Sequence, residues 1–264
     1  MSTSRSLTLS LSLSPPHTLT PKGNAKHSKT FDDHRGISLL PVLDKILQRL
    51  VLNRILKQSK SRIHRLQGAY QSQQSALTTT YMIDETIKSC CEESDKVYAC
   101  FVDISKAFDR MWINVMLYKL YHNAQIKGKT WRLIRNWYLN MKEVVWIHGS
   151  YSRAYTLLQG TRQGGILSPW LFLVYINDLI TELEQCNQGV CLYNRFYGSQ
   201  MFADDLTLLS RLKKGLDHLL QTLSTYGKVW RIVFNVKKTV TLVFGERIRK
   251  NIVPIRNWFL GKVD

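Results

Sequence analysis

Acidic residues set inside apolar segments are the feature that most constrains the fold of this 264-residue chain. Asp103 follows the β-branched and aromatic segment 97–102, which predicts a short buried strand ending at a carboxylate. The pair Asp204–Asp205 separates two further apolar segments, 201–203 and 206–209, which predicts two strands that meet at a tight acidic turn. A carboxylate beside core residues is costly unless its charge is compensated, so the fold has to provide that compensation.

The pattern alone leaves two explanations of these carboxylates open. Oxygen ligands suit hard divalent cations such as Mg²⁺, so converging aspartates would hold metal ions. Two ions about 4 Å apart can activate a hydroxyl nucleophile and stabilise a leaving pyrophosphate. The second explanation is that Asp204–Asp205 forms the turn of a hairpin and binds no ligand.

The net charge of the chain favours a polyanionic partner. Lys and Arg number 37 against 19 Asp and Glu, a formal net charge of +18. Neutralising phosphates releases counterions, which drives the binding of such a chain to nucleic acid. An anionic membrane surface is the competing partner, but the basic residues are spread along the chain rather than set beside an apolar span. Because the chain has no apolar run of about 18 residues, we expect no transmembrane helix and no membrane partner.

Cysteine usage indicates a reducing compartment. The five cysteines include the adjacent pair Cys90 and Cys91 and show neither a Cys-x-x-Cys pair nor a zinc-type spacing. This pattern is typical of reduced thiols in an intracellular protein, in the nucleus or the cytoplasm.

Residues 1–30 are rich in Ser, Thr, Pro and Lys, so we expect a disordered leader with order beginning near Phe31. Helical patterns are predicted for 39–56, 75–90, 117–139 with a break at 127–129, 168–184 and 216–230. Strands are predicted for 97–102, 144–147, 155–158, 201–203, 206–209, 232–234 and 240–244. The mixture indicates an α+β fold with a largely antiparallel sheet.

Six segments resemble motifs of the reverse transcriptases of non-LTR (LINE-like) retrotransposons, and they occur in the family's order. They are the first fingers motif at Arg35–Leu40, motif A at Phe101–Trp112, motif B at Leu158–Pro169, motif C at Phe202–Asp205, motif D at Phe234–Lys238 and the primer grip at Trp258–Gly261. The resemblance spans about residue 31 to 264. An isolated Asp–Asp pair is weak evidence, whereas six ordered motifs are specific.

The resemblance implies the fingers and palm of a right-hand polymerase, with an antiparallel palm sheet backed by helices. Residues 31–96 would be mainly fingers and 97–264 mainly palm with a fingers insertion; the chain ends just after the grip, so we expect no thumb. The implied function is RNA-directed DNA polymerisation, the transfer of dNTPs to the 3′-hydroxyl of a DNA primer on an RNA template. It would use two Mg²⁺ ions, for which Mn²⁺ can substitute. The alternative is a catalytically silent, truncated nucleic-acid-binding remnant. Protein partners are not predicted.

The same resemblance implies roles for individual residues around the metal ions. Asp103 and Asp204 would coordinate both ions, with Asp205 as a more distant partner. The backbone carbonyl of Ile104 would add a ligand. Lys238 would protonate the pyrophosphate or stabilise its charge, although Lys237 lies beside it and only one of the two can point inward.

Other residues would bind the nucleotide. Phe108 would exclude a ribose 2′-hydroxyl and select deoxynucleotides, or would serve only in core packing. Gln159 and Gly160 would let the backbone approach the nucleotide, since glycine has no side chain to block it. Arg35 would be the main fingers cation, because Gln71 stands where many relatives carry Arg. Arg162 and Lys106 would contact phosphates or lie on the solvated surface. Gly164 and Gly165 would shape the loop beneath the template. Asp109 is not expected to bind metal.

Overall fold

The computed structural model describes residues 16–21, 34–59, 63–93, 96–147 and 150–245. Within them the helices are α1 (Val42–Gln58), α2 (Ala76–Glu93), α3 (Ile113–His122), α4 (Gly128–Leu139), α5 (Ser168–Gln185) and α6 (Lys213–Trp230). The strands are β1 (Pro16–Pro21), β2 (His34–Ser38), β3 (Val97–Asp103), β4 (Lys142–Ile147), β5 (Ser150–Tyr151), β6 (Tyr155–Thr156), β7 (Cys191–Leu192), β8 (Arg195–Phe196), β9 (Ser199–Phe202), β10 (Asp205–Ser210) and β11 (Val240–Phe244). The predicted primer grip lies outside the described residues.

The main sheet is antiparallel, with the strand order β11-β3-β10-β9. Its two central strands are covered on both faces, which explains their nearly continuous apolar sequences. Leu206 and Leu208 of β10 belong to the larger core cluster, whereas Leu209 packs in a smaller cluster that includes Cys90 of α2. The register pairs Asp103 with Asp205 at one end of the sheet, so both carboxylates emerge where the apolar cover ends.

Helix α5 is the centre of the larger core. Its apolar residues surround most of the helix, and it packs against α3, α6 and β9. Lys119 of α3 is fully buried and joins three helices: its Nζ donates to the Asp178 carboxylate at 2.7 Å, to the Tyr175 carbonyl at 2.8 Å and to the Tyr226 hydroxyl at 2.8 Å. Burial lowers the pKa of Lys119, and the Asp178 charge opposes that effect.

A second sheet lies on the other side of the motif B loop, in the order β2-β1-β4-β5 with β6 also paired to β4. Strand β1 corrects the expectation that order begins near Phe31. It pairs antiparallel with β2 and parallel with β4, so neighbouring main chains satisfy a segment whose composition gave no strand signal. Pro16 and Pro21 stand at its two ends, where the missing amide disturbs the ladder least.

Every predicted helix and every predicted strand except 232–234 has a counterpart in the structure, whereas β1, β2, β5, β7 and β8 were not predicted. The predicted break at 127–129 falls at the start of α4, and residues 123–127 separate α3 from α4. The apolar stripe of α1 is only partly buried, because Val42, Leu43 and Leu50 are exposed. Segment 232–234 forms an isolated bridge at Phe234 instead of a strand. No helix in the described part of the chain is long and apolar enough to cross a membrane.

Candidate active site

Three aspartates lie together at one end of the main sheet. Asp103 is the last residue of β3, Asp205 is the first residue of β10 directly opposite it, and Asp204 lies in the turn between β9 and β10. Burial raises the pKa of Asp205, and the Asp103 charge raises it further, while Lys238 opposes both effects. The predicted convergence of the carboxylates is therefore present, and they interact electrostatically.

A cavity of about 670 Å³ opens beside these carboxylates. Its wall combines acidic, basic, aromatic and glycine residues from motifs A, B, C and D. Among the lining residues are Asp103, Ile104, Lys106, Phe108, Asp109, Arg162, Gly164, Gly165, Asp204, Asn235 and Lys238. Motifs separated by more than a hundred residues in the sequence thus meet at one site.

The motif D segment is fixed to motif A by backbone hydrogen bonds. The Asn235 amide donates to the Asp103 carbonyl, and the Ser105 amide donates to the Val233 carbonyl, both at 2.8 Å. Lys238 Nζ then lies 3.5 Å from Asp103 Oδ1 and lines the cavity. The inward lysine of the pair is therefore Lys238.

The motif B loop is fixed to motif A in the same way. The Thr161 amide donates to the Phe108 carbonyl at 2.9 Å, and the Gly160 amide donates to the Met111 carbonyl at 2.8 Å. Gly160 has a φ of +89°, and a Cβ atom there would lie 2.6 Å from the Asp109 carbonyl oxygen. Glycine is required because the motif A backbone approaches it closely.

Phe108 lies on the cavity wall and also packs against the core. Its ring centroid is 4.6 Å from that of Phe172 on α5, with the planes tilted by 32°. Phe108 can therefore serve both as a wall of the site and as a core residue, because it lines the cavity and packs against Phe172.

Several predicted nucleotide-binding residues lie elsewhere. Gln159 is exposed, Gly160 is buried against Asp109, and neither lines the cavity. Arg35 lies on β2, but its side chain is outside the part of the chain that the structure describes. Arg162 reaches the cavity. Its Nη1 also pairs with Asp44 Oδ2 at 3.2 Å, so the Asp44 carboxylate partly neutralises its charge.

Tyr70 and Gln163 are among the cavity residues for which the sequence predicted no role. Tyr70 lies in the loop before α2, and partial burial together with the Asp204 charge raises the pKa of its hydroxyl. Gln163 of motif B donates a hydrogen bond to the Asp109 carboxylate. Neither residue has a sequence pattern that distinguishes it from exposed loop positions, although Gln163 lies inside motif B.

The donor set fits a divalent ion that is shared with a substrate. No group of three His, Cys, Asp or Glu side chains that could hold a metal ion occurs among the described residues. Mg²⁺ commonly binds through one or two carboxylates and takes its remaining oxygens from water and substrate phosphates. Asp103 and Asp204 on one cavity wall meet that requirement, whereas a cage made only of side chains is not formed.

The sequence is similar to a known protein family and to several named proteins. Residues 21–253 match the family described as "Reverse transcriptase (RNA-dependent DNA polymerase)". The chain is 26% identical over 237 residues to the RNA-directed DNA polymerase from mobile element jockey of Drosophila funebris, covering 85% of this chain and 25% of the relative. It is 24% identical over 209 residues to the Pol polyprotein from type-1 retrotransposable element R2 of Popillia japonica, covering 79% of this chain and 29% of the relative. The chain thus spans about a quarter of the length of these relatives.

Solved structures of telomerase share the fold. The apo telomerase of Candida tropicalis, truncated from its C-terminal domain, superposes with a TM-score of 0.62 at 13% identity, over 89% of this chain and 51% of that one. The telomerase of Candida albicans, in complex with a fragment of telomeric RNA, gives a TM-score of 0.61 at 12% identity, over 90% and 43%. These likenesses agree with the predicted α+β class.

Proposed function

Because the chain belongs to the reverse transcriptase (RNA-dependent DNA polymerase) family, we propose that it carries out RNA-directed DNA synthesis for a non-LTR retrotransposon. The reaction transfers a deoxynucleotide to the 3′-hydroxyl of a primer paired with an RNA template. The observation that carries the proposal is the common cavity wall formed by Asp103, Asp204 and Phe108. The cavity brings together carboxylates of two motifs, which a metal-assisted nucleotidyl transfer needs, and an aromatic ring lies beside them.

Asp103 and Asp204 would hold two Mg²⁺ ions, or Mn²⁺ in their place, and Asp205 would support them from the neighbouring strand position. When bound, such ions activate the attacking hydroxyl and offset the charge of the leaving pyrophosphate. The Ile104 carbonyl is a further candidate ligand. The Asp103 carbonyl and the Ser105 amide form the hydrogen bonds to the motif D segment. Because backbone groups of successive residues in a strand point to opposite sides, the Ile104 carbonyl points away from motif D, on the side of the acidic turn.

Lys238 would act on the pyrophosphate. Its ammonium group is largely exposed and lies 3.5 Å from Asp103 Oδ1, within reach of a phosphate in the cavity. It would donate a proton to the leaving group or stabilise its charge.

Phe108 would select the sugar. Its ring is held by Phe172, so it cannot easily move aside for a ribose 2′-hydroxyl. Arg35, Gln159 and Gly160 stay nucleotide-binding candidates, although Gln159 and Gly160 would have to act through the loop they shape and not through the cavity wall.

The presence of two sheets supports the proposed division into fingers and palm. The sheet of β11, β3, β10 and β9 with α3, α5 and α6 would form the palm, and the sheet around β1 with α1 would belong to the fingers. The boundaries 31–96 and 97–264 describe this division approximately, with β4 to β6 as the fingers insertion and with β1 added to the fingers.

A catalytically silent nucleic-acid-binding protein is the second candidate, and the net charge of +18 is the observation that favours it. Such a protein would bind the RNA–DNA duplex with an affinity that falls steeply with added salt, and it would not extend the primer.

Primer extension separates the two candidates. The purified chain should incorporate dTTP on poly(rA)/oligo(dT) when Mg²⁺ or Mn²⁺ is present, and Asp204→Ala should abolish incorporation. Asp84→Asn is the matched control, because Asp84 is an exposed carboxylate on α2. Extension equal in the wild type and Asp204→Ala would reject the proposed polymerase site. Duplex binding without any extension by the wild type would favour the second candidate.

A further inference from the structure

The Gln67 side chain is buried and engages the main chain of the acidic turn. It is 1% exposed, and its Oε1 accepts hydrogen bonds from the Ala203 amide at 2.9 Å and the Ala69 amide at 3.1 Å. Its Nε2 donates to the Ala203 carbonyl at 3.2 Å. One amide group therefore binds both polar groups of the residue that immediately precedes Asp204.

The backbone around Gln67 brings that amide into place. The Gly68 amide donates to the Met201 carbonyl, and the Met201 amide donates to the Leu66 carbonyl, both at 2.8 Å. Gln67 and Met201 form a parallel bridge, so loop 66–69 continues the main sheet beyond β9. Glycine at position 68 also lets α2 pack closely against this loop, because a Cβ atom there would lie 2.1 Å from Thr79 Oγ1.

Ala203 has a conformation that needs such support. Its φ is +56°, in the left-handed region that side-chain-bearing residues rarely adopt. It is also buried, so water cannot replace partners that its amide and carbonyl lose. Strain of this kind persists only where the surrounding structure fixes it, and it is concentrated at functional sites.

We propose that Gln67 is a positioning residue, which locks Ala203 in the left-handed conformation and thereby sets the direction of the Asp204 carboxylate. Gln67 does not line the cavity, so it acts through the turn and not on a substrate. The functional part of this inference rests on the proposed role of Asp204 as a metal ligand. A primary amide is needed, since the Gln67 side chain both donates and accepts at one residue.

Hydrogen exchange tests the lock directly. In the full chain without metal, the Ala203 amide should exchange slowly, and Gln67→Leu should make exchange in segment 199–206 at least about tenfold faster. Ala203→Gly should compensate in part, because glycine adopts positive φ without the penalty. The double variant Gln67→Leu/Ala203→Gly should therefore bind Mn²⁺ more tightly than Gln67→Leu alone, with the free Mn²⁺ measured by electron paramagnetic resonance in the presence of dTTP.

Ser210→Ala is the control for simple loss of stability. Ser210 is buried at the far end of β10, where its hydroxyl donates to the Gln188 carbonyl at 2.7 Å. This variant should lower the melting temperature but leave exchange at 199–206 and Mn²⁺ affinity unchanged. The proposal is overturned if Gln67→Leu leaves exchange at Ala203 unchanged, or if Mn²⁺ affinity falls equally in Ser210→Ala and is not recovered by Ala203→Gly.

The same measurements distinguish this proposal from the proposed function. A wild type that extends no primer, but in which Gln67→Leu releases the turn and weakens Mn²⁺ binding, would reject polymerase activity and support the positioning role. If the chain binds no Mn²⁺, the exchange data still decide whether Gln67 positions the turn, because the effect of Gln67 on Ala203 does not require metal.

Discussion

Gly160 determines how closely motifs A and B approach each other. Its positive φ and the Asp109 carbonyl, 2.6 Å from the position of a Cβ atom, both exclude a side chain. We expect Gly160→Ala to lower the free energy of unfolding by about 2–4 kcal/mol, from left-handed strain and the forced separation of two backbones.

Gly128→Ala is the matched comparison for that prediction. Gly128 has a φ of +64°, but nothing lies within 4 Å of a Cβ atom there. Only the conformational cost of about 1–2 kcal/mol should appear. Urea denaturation of both variants measures the difference, and equal losses would contradict the importance of the close approach.

Phe108 should determine the choice between deoxynucleotides and ribonucleotides. Phe108→Val shortens the side chain on the cavity wall, so the variant should incorporate rUTP on poly(rA) at least about tenfold better relative to dTTP. The cost in stability should be moderate, because Phe108 is only partly buried against Phe172.

Phe196→Val is the control for this selectivity change. Phe196 is buried in the same core cluster but lies away from the cavity. It should lose stability and keep the wild-type preference for dTTP. A Phe108→Val variant that still excludes rUTP would assign the ring to core packing alone.

Individual residues differ in how far the sequence could identify them. Asp103 and Asp204 could be identified because each lies beside an apolar segment, and Lys238 because motif D resembles that of the family. Gln67 and Tyr70 could not, since their importance depends on a loop that meets the acidic turn more than a hundred residues later. The ion pair of Arg162 with Asp44 is likewise a contact between distant segments, and no local pattern predicts it.

Among the contacts between elements, His64 attaches the loop between α1 and α2 to helix α5. The His64 backbone amide donates to the Asn177 side chain of α5 at 2.7 Å, and its Nδ1 accepts from the Leu66 amide at 3.2 Å. The Nε2 nitrogen lies 3.3 Å from the Glu184 carboxylate. The neutral ring therefore accepts on one nitrogen and donates on the other.

The stability of this loop should depend on pH. Burial lowers the pKa of His64 below its usual 6.5, although Glu184 opposes the effect. Above pH 6.5 the ring is neutral in both states; as the pH falls, the unfolded chain takes up the proton first, so the free energy of unfolding should decrease. Urea denaturation at pH 7.5 and about 5.5 should show this decrease in the wild type.

Two variants check the assignment to His64. His64→Gln should make the free energy of unfolding depend less on pH, because glutamine keeps a donor and an acceptor but does not titrate. His218→Gln, at an exposed position on α6, should leave it intact. An unchanged pH dependence in His64→Gln would assign the effect to other groups.

Helices and strands were easier to predict than their partners. The apolar periodicity of 168–184 corresponds to α5, and the predicted break at 127–129 lies at the start of α4, next to the gap that separates α4 from α3. Strand β1 was missed because its pairing with β2 and β4 joins distant segments of the main chain, which a local sequence pattern does not specify. The exposed residues of α1 were also unpredictable, since periodicity identifies an apolar face but not what covers it.

At the scale of the whole molecule, the site exists because the chain brings four separate motifs to one end of the main sheet. Motif A ends β3, motif C forms the turn before β10, and backbone hydrogen bonds attach motifs B and D to motif A. The sequence order of the motifs indicated this assembly, but hydrogen bonds such as that from Asn235 to Asp103 depend on the folded sheet.

We propose that Asp103 and Asp204 form one metal site that is completed by a nucleotide. Iron-directed cleavage tests it most directly: Fe²⁺ replaces Mg²⁺, ascorbate generates radicals at the metal, and the cut positions are read by mass spectrometry. With a chain-terminated primer, poly(rA) and dTTP, we expect cuts within 103–106 and 203–206. They should weaken without dTTP, disappear in Asp103→Asn/Asp204→Asn and persist in Asp84→Asn. Cuts elsewhere, or cuts that survive the double substitution, would contradict it.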